Sequence, residues 1–455
     1  MAKKRQRKKR KTIKMLREIQ PDAAGIDVGA TEIYVAVPED GRTTEPIRCF
    51  GTFTRDLHET AQWLQSCSIK SVVMESTGVY WIPILQILEG YGFEVLLVNA
   101  RHVKNVPGRK TDVQDCQWLQ YLHSVGLLRG SYRPSQDVCA IRSLLRHRES
   151  MVQISSTHVQ HMHKALTQMN LQIHNVISDI TGLTGQAIVD AIVAGERNPK
   201  KLASLKHGRI KASKSVIEKS LEGNYLPEHL FTLQQALQSY RHYRQMIRAC
   251  DEEIEAYLND FEARIDPDEN PPPTPRVKET KPKGNEPDFN LRSHLYRVFG
   301  TDLTQVDGIN VLTAQSLFAE IGPNLSKFPS VAHFCSWLGL CPNNKISGGR
   351  ILASKTRPGS NRAAQALRLA AHALWRSQSY LGHYYRRMRA RHGAPKAITA
   401  TAHKLARIVY HLIKTGKSYD ESVFAEQENQ HKQRMERNLM KQAKMIGFQL
   451  VPCQK

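Results

Sequence analysis

Apolar positions recur along the chain with two periods, and the change between them divides it. From Ala23 to about Arg133 short apolar runs alternate with amphipathic stretches. "AAGIDVGATEIYVAVPED" reads as two strands around a turn at Gly29, "SVVMEST" as a buried strand and "FEVLLVNA" as another. "RDLHETAQWLQSC" and "YWIPILQILEGYG" carry helical spacing, the second ending in a glycine suited to a C-cap. Strands alternating with helices predict an α/β domain with a mixed sheet.

Beyond Val138 the period lengthens. Apolar side chains fall at 138, 141, 145, 152, 159, 162, 166 and 169, with Arg148 and Ser155 as breaks. A second series runs Leu230, Leu233, Leu237, Tyr240, Ile247, Ile254, Leu258, with Arg244 and Asp251 as its polar breaks. Two heptad-like helices around an insert predict an antiparallel coiled-coil hairpin with arms about 50 Å long, at ~1.5 Å per residue. An ordinary helical bundle fits the same spacing. Residues 266–288 hold seven of the 21 prolines and almost nothing apolar, the composition of a disordered linker. The expected organisation is a basic disordered arm at 1–20, an α/β domain at 21–134, a helical region with an insert at 135–264, a linker at 265–289, a mostly helical domain at 290–420 and a charged tail at 421–455.

Composition narrows what such a chain handles. Lys and Arg total 65 against 42 Asp and Glu, a net charge of +23, and ten of the basic residues lie in the first 17. That excess points to a polyanionic partner, nucleic acid before a membrane surface. No stretch approaches the ~20 apolar residues of a spanning helix. The basic start lacks the apolar run of a secretory signal. The eight cysteines are scattered with no CxxC, so a zinc ribbon, a redox motif and a disulfide framework lose support and a reducing cytosol is expected.

Several side chains are candidates for chemistry. Asp27 lies in "GIDVG", Glu75 ends the run "VVME", and Asp112 and Asp115 follow in "GRKTDVQDCQWLQYL", where Thr111 and Gln114 form a capping-box pattern. That places Asp112 and Asp115 one turn apart in a first helical turn, where the dipole favours anions. Singly, each reads as a surface charge or a cap. As a set they could converge on two Mg²⁺ ions, because hard cations take oxygen ligands and a pair of them stabilises both attacking and leaving oxygens of a phosphodiester.

A second candidate is "PNNKISGGRILASKTRPGSNR": Ser347 before two glycines that would admit a phosphate, with Arg350, Lys355, Arg357 and Arg362 to neutralise it. Without further context Ser347 is a turn serine; Ser354 and Ser360 are its rivals, Ser360 also suiting an N-cap. Upstream, "LTQVDGINVLTAQSLFAEIG" has the outline of a helix-hairpin-helix. His158, His161 and His163 do not share one helical face and read as polar surface. Tyr384, Tyr385, Arg386, Arg387, Arg389 and Arg391 form a basic-aromatic patch suited to stacking, or a solvated helix end.

Taken together, "GIDVG", "VMESTGVYW" and "VNARHVKNVPGRKTDVQDCQWL" in the first domain, with "LTQVDGINVLTAQSLFAEIG" and "FPSVAHFCSWLGLCPNNKISGGRILASKTRPGSNRAAQALR" in the last, resemble the transposases of the insertion-sequence-110 family, the DEDD recombinases. The resemblance implies an RNase H-like (RuvC-type) first domain whose four acids fall on Asp27, Glu75, Asp112 and Asp115. It also implies a C-terminal transposase domain whose serine nucleophile falls on Ser347. It implies Mg²⁺-dependent cleavage and rejoining of donor and target DNA through a covalent phosphoserine, under the direction of a structured guide (bridge) RNA. Dimers and tetramers joined by the coiled coil, and a cytoplasmic, nucleoid-associated location, follow from the same resemblance. Departures are "VDGIN" in place of the family's "PGIG", the long basic arm and the proline-rich linker. A junction-resolving nuclease with the same acids and no serine step is the alternative, separated by a protein–DNA adduct that survives denaturation. A non-catalytic nucleic-acid-binding protein would show no Mg²⁺-dependent nicking.

Overall fold

Five strands form one mixed sheet near the start of the chain. β1 (Ala23–Val28), β2 (Glu32–Ala36) and β3 (Ile47–Gly51) pair antiparallel, and β4 (Ser71–Glu75) and β5 (Glu94–Val98) extend the other edge of β1 in parallel, in the order β3-β2-β1-β4-β5. The computed structural model describes residues 17–76, 78–99, 112–275 and 284–448, and the chain divides into two compact units between Arg133 and Pro134. The mixed sheet matches the expectation from the alternating pattern. β3 escapes that pattern, because "IRCFG" exposes Arg48 and Cys49 in a row and so lacks a clean period of two.

Alternation along the strands decides what each face meets. Ile26, Ile33, Val35, Val72 and Met74 point to one side and are buried with Leu57, Ala61 and Leu64 of α1 (Thr54–Ser66) and Ile84, Leu85 and Leu88 of α2 (Trp81–Gly90). Each Val, Leu, Ile or Met side chain among them contributes about 1.5–3 kcal/mol by leaving water. On the other side Val73 and Val98 pack against Leu119 and Leu122 of α3 (Asp112–Ser124). Thr111, half of the expected capping box, lies outside the described residues, as do residues 1–16 of the basic arm.

The second unit begins with α4 (Gln136–Gln168) and α8 (Pro227–Asp260), of 33 and 34 residues, which pack side by side in opposite directions. Arg148 meets Asp251 while His158 stacks on Tyr243, so one chain number rises as the other falls. Arg148 and Asp251, which interrupt the two apolar series, are each other's partner: both are buried, and the guanidinium bonds both carboxylate oxygens. The insert is compact. α5 (Leu183–Val193), α6 (Pro199–Ser204) and α7 (Lys214–Ser220) bury Ile188, Leu202 and Ile217 with Leu166 and Leu233 of the long pair.

The proline-rich segment departs from the expected free linker in its described first part. The Arg292 guanidinium donates to the Pro273 carbonyl and Gln305 Nε2 to that of Thr274 (3.2 Å), so the backbone at Pro273 and Thr274 is tied to side chains of the following domain; residues 276–283 lie outside the described residues. The remainder is mostly helical, as expected: α9 (Leu291–Phe299), α10 (Val311–Ile321), α11 (Val331–Trp337), α12 (Arg362–Ala373), α13 (Tyr380–His392) and α14 (Ala394–Thr415). Phe318 sits between Phe261 and Phe299, and α14 supplies Leu405, Ala406, Val409 and Ile413 to the core. A largely exposed hairpin of β6 (Lys345–Ser347) and β7 (Arg350–Ala353) lies between α11 and α12 in sequence, and the tail carries α15 (Ala425–Met445). Among the described residues no helix is long and apolar enough to cross a membrane.

Candidate functional site

The placement of two acids follows from strand register. β1 and β4 run parallel with Gly25 beside Val73 and Ile26 beside Met74, so one step on Asp27 and Glu75 are neighbours at the carboxyl ends of adjacent strands. Ile26 and Met74 face the α1–α2 side; by alternation Asp27 and Glu75 belong to the side that α3 covers.

Gly25 explains how close α3 comes. A Cβ there would sit 2.3 Å from the Cys116 carbonyl oxygen and 2.4 Å from the Gln120 nitrogen, so only a glycine lets this helix backbone lie on this strand. Gln120 Nε2 donates to the Ala23 carbonyl (3.2 Å), which makes the helix run opposite to β1. Moving from Gln120 to Cys116 therefore leads from Ala23 toward Asp27, and the start of the helix, with Asp112 and Asp115, lies at the level of the strand ends. Cys116 reports the outcome: burial, and after it the charges of Asp27 and Asp115, push its thiol up to about 12. Two carboxylates from different elements thus act on one sulfur.

The donor chemistry fits a hard divalent cation, since the acids offer only oxygen ligands from adjacent strand ends and a helix start. Among the described residues no three His, Cys, Asp or Glu side chains meet as an ion site, and the side chain of Asp112 is outside the described residues. The strand register brings Asp27 beside Glu75, and the charges of Asp27 and Asp115 each reach Cys116; Asp112 is placed by its backbone alone.

Ser347 is not in an open loop. It is the last residue of β6, paired with Arg350 across a two-residue turn in which Gly348 and Gly349 have φ of 53° and 74°. Two consecutive left-handed residues define the tight hairpin turn that matches strand twist, so the glycines are required by the turn itself. The hydroxyl and Arg350 are both exposed, and the apolar side chains around them, Ile346, Ile351 and Leu352, are 60–70% exposed. The four expected cations do not gather about the serine. Arg350 stands opposite it; Lys355, beyond the strand, is exposed and its carbonyl accepts from the Asn343 nitrogen (3.0 Å); Arg357 lies near Cys341, where it opposes the upward push of burial on that thiol. Arg362 Nη1 donates to Glu149 on α4 at 2.6 Å. Ser360 is not the cap of α12: Asn361 is, accepting from the Ala364 nitrogen at 3.0 Å.

The other candidates are rearranged as well. Gly308, in the expected hairpin turn, has φ of +87°, and a Cβ there would meet the Ala370 carbonyl oxygen at 2.7 Å, so its close approach is to α12 of its own chain. His158 lies between Tyr243 and His161, and His163 beside His174, as aromatic contacts. In the basic-aromatic patch Tyr385 is buried, the Arg389 guanidinium lies 4.1 Å over the ring of Trp375, and Arg386 donates to the Trp375 and Ser377 carbonyls. Sequence reasoning assigns Gly25 and Cys116 no role. The run of small residues "AAG" at a strand start is the available signal for a helix lying close upon it.

Residues 24–171 match the family model of a DEDD-type IS110 transposase, and residues 300–386 match a second, described as transposase of the IS116/IS110/IS902 family. Together they cover just over half of the 455 residues. A relative from Streptomyces coelicolor, the "Insertion element IS110 uncharacterized 43.6 kDa protein", is 32% identical over 120 residues. That match covers 26% of this chain and 29% of the relative.

Proposed function

The chain belongs to the IS110 family of transposases, and from that premise we propose that it moves an insertion sequence by cleaving and rejoining DNA strands under the direction of a structured RNA. The observation that carries the reading is the β1–β4 register, which makes Asp27 and Glu75 neighbours at the strand ends toward which α3 brings Asp112 and Asp115. An RNase H-like role for the first unit rests on that mixed sheet and its acids.

Asp27, Glu75, Asp112 and Asp115 would hold Mg²⁺, two ions by the family resemblance. When bound, the metal supplies positive charge against the phosphoryl oxygens of the strand being cut. Around it the chain does the rest. Ser347 Oγ attacks phosphorus: the Oγ–P bond forms, the bond to one sugar oxygen breaks, and that oxygen leaves as a hydroxyl. The resulting serine ester conserves the phosphodiester, so a different sugar hydroxyl can displace Ser347 and complete a new strand without external energy. Arg350, paired with Ser347 across the hairpin, neutralises the phosphate. Lys355, Arg357 and Arg362 would bind flanking phosphates, Arg362 after leaving Glu149.

The charge of +23 supports partnership with DNA and a guide RNA, and the antiparallel pair α4–α8 supplies a surface on which protomers could join as a coiled-coil dimer or tetramer. Such a protein would work in the cytoplasm, at the nucleoid. The test is paired. Glu75→Gln and Asp112→Asn should bind nucleic acid as the parent does and lose strand cleavage in Mg²⁺. Ser347→Ala should bind DNA yet form no adduct that survives denaturation. Cleavage within a few-fold of the parent in both acid variants refutes the acidic site. An adduct mapped by mass spectrometry to Ser354 or Ser360 refutes the serine assignment.

A further inference from the structure

Between α13, α14 and the segment that follows them lies a cavity of about 650 Å³, distant in sequence from the hairpin serine. At its wall Lys404 of α14 is enclosed by the rings of Tyr380, Tyr384 and Phe424, its ammonium 4.5, 4.7 and 4.9 Å from their centroids. It donates to Tyr380 Oη at 2.6 Å, and Tyr380 and Phe424 themselves stack 4.5 Å apart with planes 2° from parallel.

The surroundings are cationic. Burial, and after it the charges of Arg387 on α13 and of Arg407 one turn along α14, hold Lys404 well below an ordinary lysine, at about 8. His403 lies on the same helix and is held low by burial and by Arg407; His411 and Lys417 line the cavity further on. The remaining titratable groups on it are Tyr384, pushed up by burial, Tyr419 and Asp420. Nearby carboxylates are already engaged: Asp420 accepts from the nitrogen and hydroxyl of Ser422, and Glu421 from the Tyr380 nitrogen (2.7 Å). Among the described residues no carboxylate pairs with Lys404 or Arg407.

A half-buried ammonium held among other cations without a counter-charge is unfavourable until an anion joins it. The ring-lined wall adds a surface on which a flat group can stack. A volume of this size suits a molecule of nucleotide dimensions, within the ~300–1,000 Å³ of ordinary ligand sites, and is too small to enclose a duplex. We propose that this cavity binds one unpaired nucleotide of a nucleic-acid strand, its phosphate on Lys404 and Arg407 and its base against the aromatic wall. The proposal rests on the nucleic-acid reading above and deepens it, by assigning single-strand capture to residues other than the acids and Ser347. Phosphate is favoured over a carboxylate ligand because a guanidinium and an ammonium lining one cavity match its several oxygens, and aromatic faces beside cations are how sequence-tolerant single-strand sites are built.

The test uses the full chain without Mg²⁺, so that it stands apart from cleavage and survives failure of the catalytic assignment. Binding of a short fluorescent oligothymidylate is followed by anisotropy, with a duplex of the same length as comparison. Lys404→Met keeps the stem and removes the charge; Arg407→Gln changes an exposed side chain and does not threaten folding. Each should weaken single-strand binding ~10-fold or more, the scale of a charge-assisted contact, and duplex binding much less. Because the bound phosphate favours the protonated lysine, the parent's affinity should fall by up to ~10-fold per pH unit above pH 8, and Lys404→Met should lose that slope. Unchanged single-strand binding in Arg407→Gln, an equal loss on single strand and duplex, or a pH slope that persists in folded Lys404→Met overturns the proposal.

Discussion

Gly25→Ala tests whether the close packing of α3 on β1 positions the acids. The added Cβ would lie 2.3 Å from the Cys116 carbonyl oxygen, 2.4 Å from the Gln120 nitrogen and 2.9 Å from Gln120 Cα, all of them backbone atoms that no rotamer change can move. Restoring an ordinary contact of 3.4 Å requires the helix to retreat by about 1.1 Å. Overpacking of this kind costs ~1–3 kcal/mol. The functional cost should exceed the structural one, because the same helix carries Asp112 and Asp115 while Asp27 and Glu75 stay with the sheet. A displacement of ~1 Å between groups that must act together lowers a rate on the order of 100-fold. The assay is Mg²⁺-dependent strand cleavage beside a thermal melt, with Gly90→Ala as control: a Cβ at Gly90 meets nothing within 4 Å, so that variant should melt and cleave as the parent does. Parental melting and parental cleavage in Gly25→Ala would refute the claim that this close approach sets the site.

Three further outcomes follow from single interactions. Asp251→Asn should destabilise the protein by ~3–5 kcal/mol, because it leaves the Arg148 guanidinium buried without its counter-charge, whereas Arg148→Met combined with Asp251→Leu should restore most of that stability; equal denaturation midpoints for single and double variants would argue against a buried pair. His123 is buried with Nε2 2.7 Å from Ser71 Oγ, and burial holds its pKa below the ordinary 6.5, with Glu94 pulling weakly upward. The unfolded chain therefore takes up the proton first, so the contribution of neutral His123 is present above about pH 6.5 and lost as pH falls below it; His123→Gln should flatten the decline in melting temperature between about pH 7 and 5. Deleting residues 1–17, with their ten basic side chains, should reduce the salt dependence of DNA binding by ~0.9 in log–log slope for each phosphate the arm neutralises, and an unchanged slope would leave the arm without a binding role.

What the sequence revealed, and what it hid, divides along one physical line. β1, β2, β4, β5 and the long pair α4–α8 were legible because each buries one face, and burial writes a period into the chain. Arg148 and Asp251 read as interruptions of that period because their meaning is mutual: each is a defect alone and a satisfied pair only when the two helices are laid side by side. The acids were legible as residue types, since a carboxylate at the end of an apolar strand is costly without a purpose, but what brings α3 onto them is Gly25, a residue identified by the side chain it lacks. The β6–β7 hairpin was hidden by the same glycines that form it, because "SGGR" signals a break in structure as readily as the tight turn between two strands, and the flanking Ile346, Ile351 and Leu352 bury nothing that would show alternation. The cavity at Lys404 is the limiting case. Its rings and cations come from α13, α14 and the turn at Phe424, and on each element taken alone they look like solvated surface or core. Only the packing of three elements turns a lysine into a half-buried cation without a carboxylate partner, so sites built from unlike charges and rings across elements become visible in structure where periodic cores are already visible in sequence.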